Sequence, residues 1–121
     1  MAIAKLDVIA LDCPEPRALA DFYAAVLGGT LADDEAENGW VVLRTPGGKL
    51  AFQESPGYRP PVWPSAEHGQ QLHLDLTVTD LDRAEKEVLA LGATLLDAGD
   101  GTRSWRVYAD PVGHPFCLCA C

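Results

Sequence analysis

Along Leu72-His73-Leu74-Asp75-Leu76-Thr77-Val78, apolar and polar side chains alternate with a period of two. The leucines and the valine therefore share one face of a strand, and His73, Asp75 and Thr77 share the other. This pattern predicts a strand over residues 71–78 whose apolar face packs on a helix. The same alternation sets Phe116 and Leu118 against Cys117, Cys119 and Cys121, and Leu50 and Phe52 against Ala51 and Gln53. It also sets Ile9 and Leu11 against Val8, Ala10 and Asp12. Elsewhere the period changes to that of a helix. Leu19, Phe22, Tyr23, Val26 and Leu27 form one stripe, and Leu81, Ala84, Val88 and Leu91 form a second. Pro16 suits a first helical position and Asp80 an N-cap, while Gly28 and Gly92 mark the stops. Further strands are predicted near residues 6–11, 30–34, 40–44, 50–54, 94–97, 105–109 and 115–120. Turns are expected at Glu37-Asn38-Gly39 and Pro46-Gly47-Gly48.

These elements fall into two similar series. Leu27-Gly28-Gly29-Thr30-Leu31 returns as Leu91-Gly92-Ala93-Thr94-Leu95, and Trp40…Pro46-Gly47-Gly48 returns as Trp105…Pro111-Val112-Gly113. A unit seen twice at this spacing is a duplicated module rather than a solenoid, which stacks three or more. The predicted fold is α+β, with two βαβββ modules forming a curved mixed sheet around a cleft and the helices on its outer face. Module one spans residues 4–55 and module two residues 70–121, within a single domain. Between them a connector over residues 56–69 carries Pro56, Pro60, Pro61 and Pro64, interleaved with Tyr58 and Trp63. A connection of this length is often functional, and it also serves as a crossover anchored by its aromatics.

Composition narrows the classes of function. The 121 residues carry a net charge of −9, which argues against nucleic acid as a partner. No apolar run reaches the roughly 18 residues of a membrane span, and Lys5, Asp7 and Asp12 interrupt the N-terminal stretch where a signal peptide would be apolar. A cytoplasmic protein is expected, with its four cysteines as thiols.

The polar strand face is where chemistry is expected. It bears His73, Gln53, Cys117, Asp12 and Asp75 rather than the Lys, Glu and Thr of a solvated sheet. Aromatic candidates are Trp40 and Trp105, at equivalent places in the two modules, and Tyr58 and Trp63 on the connector. Arg106 and Tyr108 alternate with Trp105 and Val107, so one of those two pairs faces the site. His114 lies in an Asp-Pro-Val-Gly-His turn and reads as hairpin chemistry.

The combination of Leu11-Asp12-Cys13-Pro14, Asp21-Phe22-Tyr23 and Leu27-Gly28 with Leu50-Ala51-Phe52-Gln53, His73-Leu74-Asp75-Leu76 and Asp110-Pro111-Val112-Gly113-His114-Pro115-Phe116-Cys117 resembles the vicinal oxygen chelate superfamily. That group includes glyoxalase I, extradiol dioxygenases and bleomycin-binding proteins, and the likeness is to its small bacterial glyoxalase-like members. In the metal-dependent members each half contributes one ligand from its first strand and one from its last. Carried over, those places are Val8, Gln53, His73 and Cys117. Only His73 matches, Val8 binds no metal, and hard divalent ions favour carboxylate and imidazole over amide and thiol. No metal or other cofactor is therefore expected. Any ion present would rest on His73, Gln53 and Cys117.

Two classes of function follow. One is a small-molecule binder of glyoxalase or bleomycin-resistance type. The other is a glyoxalase-type lyase, isomerase or dioxygenase acting on a substrate with adjacent oxygens. His73 is the catalytic candidate, as a general base oriented by Asp75 or Gln53. Gln53, Asp75, Cys117, Trp40, Tyr58, Trp63, Arg106 and Tyr108 are the ligand-binding candidates. The expected partner is a small molecule, and a homodimer is expected because the superfamily commonly completes its cleft from two chains.

Overall fold

The two helical stripes and the runs of alternation become two helices and eight strands among the residues described, 2–32 and 39–120 of the computed structural model. In chain order these are β1 (Ile9–Cys13), α1 (Pro16–Leu27), β2 (Thr30–Leu31), β3 (Trp40–Thr45), β4 (Gly48–Glu54), β5 (Leu74–Thr77), α2 (Leu81–Ala90), β6 (Thr94–Asp97), β7 (Trp105–Ala109) and β8 (Pro115–Cys119). The chain divides into two units, Met1–Tyr58 and Arg59–Cys121. Each has a four-stranded mixed sheet and one helix, with strand orders β1-β4-β3-β2 and β5-β8-β7-β6. The orders correspond strand for strand, as a duplicated βαβββ module requires.

Local chemistry sets the helix ends. Pro16 opens α1, and Gly28 closes it at φ 74°, donating its N–H to the Ala24 carbonyl. The Asp80 carboxylate caps α2 by accepting from the Arg83 N–H at 3.1 Å. Gly29 is required next to the first cap. Its φ is +96°, and a Cβ there would collide with the carbonyl oxygen of Arg44.

The apolar faces pack as their alternation predicts. In the first unit Tyr23 of α1 stacks on Phe52 of β4 with ring centroids 5.8 Å apart, and Phe22 meets Tyr23 edge-on. In the second, Tyr108 stacks on Phe116 at 5.6 Å. Tyr23, Phe52, Tyr108 and Phe116 are all fully buried. Each such ring contributes about 2–3 kcal/mol through the apolar area it removes from water.

Three expectations change. β1 begins at Ile9, not residue 6, because its parallel ladder with β4 starts at Ile9 opposite Leu50, and Leu6 is exposed. β5 likewise begins at Leu74, where pairing with β8 starts opposite Phe116. Leu72 therefore lies outside the ladder and is 56% exposed instead of facing a helix. The strand expected over residues 30–34 ends at Leu31; residues 33–38, with Glu37 and Asn38 of the predicted turn, lie outside the described residues. No described helix is long and apolar enough to cross a membrane.

Candidate functional site

The second sheet has two chemically distinct faces, and its ladders show how they arise. Leu74 pairs with Phe116 and Leu76 with Leu118, placing those apolar residues on the α2 side. On the other face lie two successive rows. One is Asp75, Cys117 and Val107; the next is Thr77, Cys119 and Trp105. His73 and Pro115 continue this surface, and Trp63 and Gln70 from the preceding segment complete a pocket of about 470 Å³. Its walls are largely apolar.

Three donor groups gather in this pocket. The His73 Nε2 atom lies 3.1 Å from Asp75 Oδ1, and the donor atoms of His73, Asp75 and Cys117 all lie within 4.8 Å of one another. Parallel pairing of β5 with β8 brings Asp75 and Cys117 side by side, and alternation returns His73 to the same face. Cys117 is buried, with 8% of its surface exposed. Burial pushes its thiol up to about 11, and the negative charge and hydrogen bond of Asp75 push the same way. At neutral pH Cys117 is a protonated thiol and a poor nucleophile. His73 stands beside the Asp75 carboxylate at the open side of the pocket.

Two further features shape the pocket. The Arg103 guanidinium lies 3.8 Å from the centroid of the Trp105 ring and donates to the Trp105 carbonyl at 3.0 Å. It also pairs with Asp97 at 3.0 Å, so the indole is braced from one side. Gln70 Oε1 is buried with no hydrogen-bond partner among the described residues.

Of the expected site residues, His73, Asp75, Cys117 and Trp63 line this pocket together. Arg106 and Tyr108 do not, which settles the choice between the two β7 pairs. Arg106 bonds Asp82 at 2.9 Å and Glu85 at 3.3 Å, and the Tyr108 hydroxyl donates to Glu85 at 2.9 Å. Both are held against α2 by its carboxylates. Trp40, Gln53 and Tyr58 belong to the first unit. There Trp40 and Gln53 are direct partners across β3 and β4, on the face away from Phe52, while Tyr58 donates its N–H to the Ser55 carbonyl. His114 sits in the expected turn, where Asp110 Oδ1 accepts from the N–H groups of Val112 and His114. Cys13 and Cys117 retain their thiols, but Cys119 is disulfide-bonded, contrary to the expectation of four thiols.

The ladders also correct the correspondence between modules. Trp40 pairs with Gln53, as Trp105 pairs with Cys119. One row along, Ala10, Ala51 and Val42 occupy the places of Asp75, Cys117 and Val107. The module-one counterparts of His73, Asp75 and Cys117 are thus Val8, Ala10 and Ala51, and Gln53 is not the counterpart of Cys117. None of the three offers a metal donor. Ala51 is fully buried in a small cluster with Ala32 and Val42, against which Val8 and Trp40 pack.

Sequence reasoning missed Gln70 and Pro115 as lining residues, whereas it had put Thr77 on the polar strand face and had left Trp105 and Val107 open as one of two pairs. Gln70 and Pro115 sit at element edges where alternation says nothing. Asp82 and Glu85 on one face of α2 were the available signal that Arg106 is taken.

Comparison with known proteins places this geometry in context. A family model described as a glyoxalase-like domain matches residues 8–119. No curated protein matches the chain. Among solved structures it is similar to a glyoxalase/bleomycin resistance protein/dioxygenase family enzyme from Burkholderia phytofirmans PsJN, at 19% identity and TM-score 0.77 over 95% of this chain and 97% of that one. It is also similar to a glyoxalase/bleomycin resistance protein from Albidiferax ferrireducens T118, at 17% identity and TM-score 0.63 over 94% and 96%. The fosfomycin resistance protein FosX from Listeria monocytogenes is similar at 13% identity and TM-score 0.73 over 98% and 93%. With duplicated modules, matching strand order and a family model spanning nearly all of its length, the chain belongs to the glyoxalase-like domain family of the vicinal oxygen chelate superfamily.

Proposed function

We propose that this protein binds a small, largely apolar or aromatic molecule, neutral or cationic, in the pocket of its second module. The observation that carries this reading is the pocket's lining. Two tryptophans, Trp63 and Trp105, stand with Val107 and Pro115 around a floor of His73, Asp75 and Cys117, and the buried Gln70 Oε1 has no hydrogen-bond partner among the described residues. Indole faces favour flat and cationic groups, and an orphaned buried acceptor calls for an N–H or O–H donor on the ligand. Among the described residues the lining holds no Lys or Arg, and the chain carries a net charge of −9. An anion entering such a site would lose hydration, and the nearest cation, Arg103 behind Trp105, is already paired with Asp97.

The donor chemistry does not suit a hard divalent ion. Such an ion wants several carboxylate and imidazole ligands. Module one supplies Val8, Ala10 and Ala51 at the corresponding places, and module two places a thiol beside its one imidazole and one carboxylate. The proposed function therefore uses no hard-metal chemistry. One observation favours a catalytic variant of the same reading: the 3.1 Å contact between His73 and Asp75 orients an imidazole as a general base. We place the protein in the cytoplasm as a homodimer, and sedimentation giving only a 13 kDa species would refute the dimer.

The test is a tryptophan fluorescence titration of chelator-treated protein with a panel of planar organic cations, neutral aromatics and phosphonates. Saturable quenching by the cations or neutral aromatics, weakened about fivefold or more by Trp105→Ala, supports the reading. Tight binding of phosphonates with no response to flat cations refutes it.

A further inference from the structure

We infer that the second module is a self-contained site for one thiophilic or borderline divalent cation, of which Zn²⁺ is the type, held by His73, Asp75 and Cys117 with its fourth position open to the pocket. One imidazole, one carboxylate and one thiol are all ligands that zinc accepts, and three protein ligands with an open fourth position describe a reactive zinc site. With Cys117 as thiolate and Asp75 ionised, the two negative charges would balance the ion.

The spacing agrees. Bonds of about 2.0–2.3 Å in tetrahedral array put neighbouring donor atoms roughly 3.3–3.6 Å apart. His73 Nε2 and Asp75 Oδ1 already stand at 3.1 Å, and the group as a whole spans no more than 4.8 Å. Rotation of the two exposed side chains closes the difference without moving the strands. Cys117 is fixed by the β7 and β8 ladder, so the sulfur forms the floor and the exposed pair closes over the ion.

The arrangement differs from the one implied by the superfamily likeness, which takes ligands from both modules. Here the counterparts in module one are Val8, Ala10 and Ala51, while Asp75 lies two residues beyond the position of the usual first-strand ligand. Loss of donors in one module and gain of a carboxylate and a thiol in the other changes which ion is chosen. A second observation also points to the pocket: the buried Gln70 Oε1, without a partner among the described residues, is an acceptor in the same lining. Metal binding would exchange the proton of the Cys117 thiol for the ion and release that proton to solvent.

The experiment uses the full chain, stripped with chelator and assayed without reductant so that Cys119 stays in its disulfide. Zn²⁺ uptake is measured by competition with a chromophoric chelator, and Co²⁺ is used as a spectroscopic stand-in. We expect one ion per chain, at least 100-fold preference for Zn²⁺ over Mn²⁺ and Mg²⁺, and a thiolate-to-cobalt charge-transfer band. Cys117→Ser should abolish that band, and His73→Gln or Asp75→Asn should weaken Zn²⁺ binding at least tenfold. Cys13→Ser, in the first unit, should leave the band and the Zn²⁺ affinity unchanged. The melting profile of each variant, recorded without metal, identifies any that fail to fold, and the band of the parent protein stands apart from them. Absence of uptake, uptake of Mn²⁺ as readily as Zn²⁺, or a thiolate band that survives Cys117→Ser overturns the inference. Ligand binding in chelator-treated protein is read separately, so either result stands without the other.

Discussion

Alkylation of Cys117 offers a quantitative check on the electrostatics of the pocket. Its thiol is raised from 9.0 to about 11, first by burial and then by Asp75. At pH 8 the thiolate fraction is then about 0.1%, against about 9% for an unshifted thiol, a ratio near 90. Greater intrinsic nucleophilicity of the more basic thiolate recovers roughly eightfold, since reactivity rises with basicity with a slope of about 0.4–0.5. The net effect is about tenfold slower modification, before the steric cost of a buried sulfur. In metal-free protein, iodoacetamide labelling followed by peptide mass spectrometry should show Cys117 reacting at least tenfold more slowly than a small-molecule thiol at pH 8. Its rate should climb with pH through about 11. Asp75→Asn removes a raising charge but not the burial, so it should accelerate labelling without restoring the rate of the small thiol. Labelling as fast as the small thiol, or a rate indifferent to Asp75→Asn, would refute the proposed environment of Cys117.

Stability of the second module should rest on the contacts of β7 with α2. Tyr108→Phe removes the hydroxyl from Glu85 and should cost about 1–2 kcal/mol in urea unfolding. Burial first, and then Glu85, raise the Tyr108 phenol, so the native state holds its proton more tightly than the unfolded chain. The associated stability is complete below the unfolded phenol value near 10 and is lost as pH rises above it, a loss that Tyr108→Phe should reduce. Gly29→Ala should destabilise the first module by about 2 kcal/mol or more, because alanine is strained at φ +96° and its Cβ meets the Arg44 carbonyl oxygen; a shifted denaturation midpoint with unchanged slope reports this. Asp80→Ala should cost about 1 kcal/mol through loss of the α2 cap, measured the same way.

The fold was legible wherever one rule acted alone. Period-two alternation found the packed faces of β4, β5 and β8, and Pro16, Gly28 and Asp80 marked helix ends. Strand starts were harder, because Leu6 and Leu72 continue the alternation but have no partner residue across the ladder. The grouping of His73, Asp75 and Cys117 at the candidate site was legible for the same reason as the strands. It was not legible at β7, where Trp105/Val107 and Arg106/Tyr108 alternate equally well and only the carboxylates of α2 decide. Nor did the sequence reveal that Gln53 corresponds to Cys119, because hairpins of different length shift the count between modules and only cross-strand pairing restores it. The burial of Gln70 Oε1 without a partner among the described residues depends on tertiary surroundings and has no signature in the chain.

The most direct test of the central claim is a two-dimensional NMR titration of metal-free protein with a planar organic cation, with a phosphonate in parallel. If the second-module pocket is the binding site, the indole N–H signals of Trp63 and Trp105 and the side-chain amide of Gln70 should shift together and saturate with the cation. The phosphonate should leave them in place. Saturable binding that moves other signals while these three stay fixed, or a phosphonate that shifts them as the cation was expected to, would contradict the account.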